Sequence, residues 1–131
     1  MRGPGSRWPL PLALAAGAFG LATVASGGRV LFGPEAARVE AGRYVPFVLW
    51  FNFLAGFAYL VAALGIARRR GWAAPLSLGI AVATGLVFAA LGVHVALGGD
   101  FEARTMAAMS LRTAFWASLA LATRRLARDG A

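Results

Sequence analysis

The chain has no cysteine, no lysine, a single histidine and only five acidic residues in 131. Without cysteine there is no disulfide framework, no thiolate-ligated zinc, no iron–sulfur cluster and no thiol redox chemistry. A single histidine excludes a haem held by two histidines of one chain. Charged residues make up 14% of the chain, against ~25% in an ordinary soluble domain. That is too little to coat a water-facing surface, and at 60% hydrophobic the chain is not a disordered tail either. The 17 glycines follow no three-residue period, which excludes a collagen-like chain. No segment alternates apolar and polar residues as an outer-membrane barrel strand does. Nor is there a nucleophile elbow, a phosphate-binding loop, an HExxH helix or a dinucleotide fingerprint. The sequence points to no enzyme class and asks for no cofactor.

Four apolar runs dominate what is present. A bilayer core of ~30 Å needs ~20 helical residues. The runs are Leu10–Ser26, Tyr44–Ala67, Trp72–Gly98 and Thr105–Thr123, the last interrupted by Arg112. Pro9, Pro11, Pro46 and Pro75 fall near the starts of the first three, where a missing N–H costs little. The first run follows Arg2, Arg7 and Trp8 and has small residues near its end, so a cleaved signal peptide competes with a retained helix. We read it as retained. In hydrocarbon only helices and closed barrels satisfy their own backbone groups. The expected fold is therefore all-α: one domain over residues 1–131, a four-transmembrane-helix bundle with a short helix in its first outer loop. That short helix is Pro34–Ala41, with Glu35 in its first turn and Gly42 as its stop. The Gly27-Gly28 and Gly98-Gly99 pairs read as turns, Asp100 as the N-cap of the last helix, and Glu102 as an acid of its first turn.

All 13 basic residues are arginine, and the formal net charge is +8. A balance this basic raises nucleic acid as a partner. The arginines instead sit at the ends of apolar runs, as topology signals do, so no nucleic-acid partner is expected. With the N-terminus inside, Arg2, Arg7, Arg68, Arg69, Arg70, Arg124, Arg125 and Arg128 lie inside, and Arg29, Arg38, Arg43 and Arg104 lie outside. Eight against four predicts an N-in, C-in protein of the bacterial inner membrane.

Membrane helices meet through small residues. Ser77, Ala81, Gly85 and Ala89 form such a row at i, i+4 spacing, and Asn52 and Gly56 are four apart. Polar residues within the runs are few. Asn52, His94 and Arg112 fall toward the outer half, near Asp100 and Glu102 of the outer connection, and together these five form the candidate ligand-binding cluster. Arg112 weighs most, because a mid-helix arginine costs ~2.5–3.5 kcal/mol on insertion scales. It either snorkels to or pairs with outer acids such as Glu35, Glu40, Asp100 or Glu102, or it forms an anion site. Trp116, four residues on, could hold its guanidinium by a cation–π contact. His94 with Met106 and Met109 is a weak candidate for a soft metal ion such as Cu(I). Asp100 and Glu102 read as cap and first-turn acids rather than a catalytic pair.

Between Tyr44 and Trp116, the segments VPFVLWFNFLAGFAYLVAALGIA and GVHVALGGDFEARTMAAMSLRTAFW resemble an uncharacterised family of small four-helix bacterial inner-membrane proteins. The resemblance covers somewhat over half the chain and implies a fold and a location, but no activity. The expected partners are the lipid bilayer and either a larger membrane system, in which this chain is an accessory or assembly subunit, or further copies of itself. In the second case the polar cluster would serve a small-solute or metal-ion carrier.

Overall fold

The computed structural model describes residues 9–129. Arg2, Arg7 and Trp8, read as the inner flank of the first run, lie outside the described residues. Five helices follow in order: α1 Pro9–Phe32, α2 Glu35–Ala41, α3 Pro46–Ala67, α4 Ala73–Ala96 and α5 Ala103–Asp129. Among the described residues there is no strand. The short helix is where its signals placed it: Pro34 precedes it, Glu35 opens it, and Gly42 at φ +71° ends it with its N–H on the Arg38 and Val39 carbonyls.

The four long helices run up and down in a ring. α1 packs most extensively against α3, and α4 against α5; α3 also lies on α4, and the thin α1–α5 seam closes the ring. α3 and α5 face each other across the diagonal. Glycine explains the closeness of α1 and α3. A Cβ on Gly20 would stand 3.1 Å from the Gly56 carbonyl oxygen, and one on Gly56 would stand 2.7 Å from Val24 Cγ2. Only hydrogen at these positions lets the two backbones approach.

Buried apolar residues form two clusters. One holds Ala16, Tyr59, Ala62, Ile66, Ile80, Trp116 and Leu119. The other, toward the α2 end, holds Val45, Val48, Leu91 and Met109. The outside is apolar as well: Leu14 and Leu21 on α1, Leu54 on α3, Leu86 and Val93 on α4, and Leu111 and Leu121 on α5 are all more than half exposed. Large apolar side chains on every outward face suit lipid rather than water. α1, α3 and α4 are long and apolar enough to cross a membrane; α5 is as long but less apolar, with Arg112 near its middle and Arg124, Arg125 and Arg128 near its end.

Three expectations are corrected. Gly27-Gly28 is no turn: α1 continues to Phe32, because Gly27 is buried against Phe53 of α3 and the packing holds the helix through it. The last helix starts at Ala103, so neither Asp100 nor Glu102 stands in its first turn; only the Glu102 carbonyl caps it, accepting from the N–H groups of Thr105 and Met106. The small-residue row of α4 does not stay on one seam. Ser77 is buried, Gly85 faces open space and Ala89 is exposed. Each i, i+4 step advances about 40° beyond a full turn, so a row of four positions rotates from the inside of the bundle to its outside.

Candidate functional site

Glu40, Glu102 and all four arginines expected on the outside bind the α2 end together. Arg38 Nη1 donates to the Val30 and Gly33 carbonyls, which α1 leaves free at its C-terminal end. Arg104 Nη2 donates to the Glu40 and Ala41 carbonyls at the end of α2. Cations are favoured at such positions by both hydrogen bonding and the helix dipole. Arg29 pairs with Glu40 at 3.3 Å. The Arg43 backbone N–H donates to Glu102 Oε2 at 2.9 Å and its Nε to the same oxygen at 3.2 Å. Those two bonds, the backbone one first, hold the Glu102 carboxyl below the usual glutamate range. His94 belongs to this end too. Its Nε2 lies 2.9 Å from the Asp100 carbonyl oxygen, which can only accept, so Nε2 carries the proton. Gly98 makes the turn possible at φ +86°, and Gly99 leaves room for the imidazole beside it.

The residues proposed as one cluster therefore occupy separate places. His94 and Asp100 share a hydrogen bond, Glu102 joins Arg43, and Asn52 and Arg112 sit deeper, apart from them. Met109 is wholly buried against the Val45, Val48 and Leu91 cluster, with Met106 packed beside it, and His94 Nε2 is already engaged. No three His, Asp or Glu side chains gather among the described residues.

Arg112 has a different setting from either expectation about acids. It points into the bundle. Nη1 donates to Thr23 Oγ1 at 2.9 Å and to Tyr59 Oη at 3.3 Å. Its Cζ stands 4.9 Å from the centre of the Phe19 ring, so the cation–π partner is Phe19 rather than Trp116. The sequence places each contributor by helix period: Phe19 and Thr23 are four apart on α1, and Arg112 and Trp116 are four apart on α5. Tyr59 reaches them across the diagonal. Side chains lean toward the N-terminus of their own helix, and that end of α3 is the α2 end, so the phenol extends toward Arg112. The Tyr59 ring packs on Trp116 at 4.7 Å and on Phe19 at 5.5 Å, and Phe115 meets Phe19 edge-on at 5.1 Å. Tyr59 and Trp116 are fully buried and Thr23 is 2% exposed.

This polar centre is rich in donors and short of acceptors. Thr84, Thr113 and Thr123 each turn the hydroxyl back to the carbonyl four residues earlier. Thr23 instead turns its oxygen to Arg112. Arg112 Nε and Trp116 Nε1 are buried with no hydrogen-bond partner among the described residues, as are Ser77 Oγ and Asn52 Oδ1. Each such group costs about 1–3 kcal/mol when it stays unpaired. Phe19, Thr23 and Tyr59 are the functional neighbours that residue spacing alone did not assign to Arg112. The one signal for them was the shared α1 face of Phe19 and Thr23.

No protein-family model, no curated protein and no solved structure matches the chain. Its arrangement is that of a helical bundle with apolar faces outward and a cationic, donor-rich centre.

Proposed function

We propose that this chain is a four-span protein of the bacterial inner membrane, with both ends in the cytoplasm, that serves as a non-enzymatic interaction or assembly subunit of a larger membrane system. The observation that carries the interaction role is the outward side of α4. A Cβ built on Gly85 or Gly92, which share one flank of α4, would meet nothing within 4 Å, although these glycines lie inside a 24-residue helix. Glycine weakens a helix by about 0.5–1 kcal/mol relative to alanine. Inside a bundle that cost is offset by closer packing, as at Gly20 and Gly56. On the outside of α4 the same gain comes when another protein's helix lies against it.

The remaining parts of the reading have their own support. α5 lies along α4, and its one mid-helix charge is covered by Thr23, Tyr59 and Phe19, which removes the main obstacle to a fourth span. The arginines also divide by end. Arg29, Arg38, Arg43 and Arg104 at the α2 end are each tied to a protein acceptor, and the other end gathers six exposed arginines, Arg68, Arg69, Arg70, Arg124, Arg125 and Arg128. The end with more arginines belongs on the cytoplasmic side.

The test compares size in two settings. On native gels after mild solubilisation from its own membranes, the protein should run in a heteromeric species well above monomer size. Purified and reconstituted alone, it should run as a monomer. Replacing Gly85 and Gly92 together by Leu should dissolve the large species and leave the monomer folded. A monomer in both settings would overturn the reading, and a homo-oligomer in both would favour the carrier.

A further inference from the structure

Arg112 is only half satisfied, and the unsatisfied half has a defined shape. In a guanidinium, Nη1 lies on the side of Cδ, and the Nε–H and one Nη2–H run parallel along the opposite edge. Nη1 is spent on Thr23 and Tyr59. Nε is buried without a partner. Nη2 makes no hydrogen bond among the described residues and, unlike Nε, is not fully enclosed. The edge left free is the two-donor fork that matches a carboxylate or phosphate through paired hydrogen bonds. A second, independent group points the same way: the wholly buried indole N–H of Trp116, one turn further along the same face, also lacks an acceptor.

Depth selects among the anions. Thr23 is nine residues from the Phe32 end of α1, about 14 Å along the helix axis. Tyr59 is eight residues from the Ala67 end of α3, about 12 Å from the opposite side of the bundle. The guanidinium therefore sits toward the middle of a bundle whose helices are about 33–40 Å long, whereas lipid phosphates begin about 15 Å from the bilayer centre. A second copy of this chain cannot supply the acceptor either. All five acids lie outside the long helices' middles: Glu35 and Glu40 in the short α2, Asp100 and Glu102 in the α4–α5 connection, and Asp129 at the end of α5. The acceptor has to be a carboxylate carried at mid-membrane by a different chain. Charged residues inside membranes pair with one another for this reason.

We infer that the Nε–Nη2 edge of Arg112, reached along the thin α1–α5 seam, docks a transmembrane helix of another protein that carries an Asp or Glu at its midpoint. The inference rests on the interaction reading above and names the chemistry of its partner. The α1–α5 seam is distinct from the glycine side of α4, so the two surfaces can be tested apart.

The probe is a designed 22-residue Leu/Ala helix with one Asp at its centre, compared with the same helix bearing Leu there. Binding to the full-length protein is read by energy transfer in phosphatidylcholine vesicles at neutral pH. The Asp helix should bind the wild type at least tenfold more tightly than the Leu helix. That preference should fall below twofold in Arg112→Met and persist in Arg69→Gln. In the wild type, the Arg112 Nε resonance of ¹⁵N-arginine-labelled protein should shift on addition of the Asp helix and not of the Leu helix. This second measurement decides the matter if Arg112→Met does not fold. No Asp preference in the wild type, a preference that survives Arg112→Met, or an equal Nε shift with laurate alone would each overturn the inference. If it is overturned while the native-membrane complex remains, the interaction reading stands and only the carboxylate fork is wrong. If the complex is absent too, both fall.

Discussion

Arg112 shows how a single charge is accommodated where water is scarce. Its positive charge is spread over two hydroxyl oxygens and the face of one phenyl ring rather than neutralised by an acid. The two hydroxyls are unequal. The Thr23 bond is 2.9 Å and the Tyr59 bond 3.3 Å, and hydrogen bonds to charged groups contribute about 1.5–3 kcal/mol when short and well aligned. Thr23→Val keeps the shape and removes the oxygen, so it should lower stability by about 2 kcal/mol. Tyr59→Phe should cost less, because the ring still packs on Trp116 and Phe19 and only the longer bond is lost. Thermal unfolding in mild detergent, followed by circular dichroism, measures both; a larger loss for Tyr59→Phe would show that the phenol is the main support. Sequence reading picked out Arg112 by its rarity, but not its partners. Tyr59 stands thirteen residues from the start of α3 and Arg112 nine from the start of α5, so residue counting alone separates them along the bundle axis. The count leaves out the length of the two side chains and the lean of the phenol toward the α2 end, which together close the gap.

Among the elements, glycine has opposite meanings on neighbouring helices. At Gly20 the space is filled by Leu60 and by the Gly56 carbonyl, which as backbone cannot swing away. Gly20→Ala should destabilise by about 1–3 kcal/mol, the usual cost of overpacking. Gly85 has open space around it. Gly85→Ala should leave the isolated protein as stable as before, or up to about 1 kcal/mol more stable, through helix propensity alone. Comparing the thermal midpoints of the two variants in detergent checks this; equal effects of the same sign would contradict the α1–α3 contact. The existence of each long helix and of the short α2 was legible, because apolar run length and the Pro34 and Gly42 signals are local. The end of α1 was not. Gly27-Gly28 has the composition of a turn, and only the presence of Phe53 on another helix makes it helical. The start of α5 failed for a related reason: the Glu102 carboxylate, read as a helix-start acid, is drawn to Arg43 on a different connection.

For the whole molecule, the division of arginines by end turns into a statement about orientation. At the α2 end, arginine side chains close helix C-termini and pair with Glu40 and Glu102, so that end is a tied cap whose charges are largely consumed by protein acceptors. At the other end the Arg68-Arg69-Arg70 turn and the last turns of α5 carry exposed arginines, each worth ~1 kcal/mol near an anionic leaflet. The absence of native cysteine makes the orientation directly readable by single introduced thiols. Ala36→Cys on α2, Gly71→Cys beside the arginine turn and Arg128→Cys near the end of α5 are all at exposed positions. An impermeant maleimide added to intact spheroplasts should label Ala36→Cys, and should label Gly71→Cys and Arg128→Cys only after permeabilisation. The reverse pattern would invert the protein in the membrane. Labelling of Arg128→Cys in intact spheroplasts, with Gly71→Cys still protected, would mean that α5 does not cross. In that case Arg112 would meet α1 and α3 without ever passing the bilayer centre, and the depth argument for its partner would fail with it.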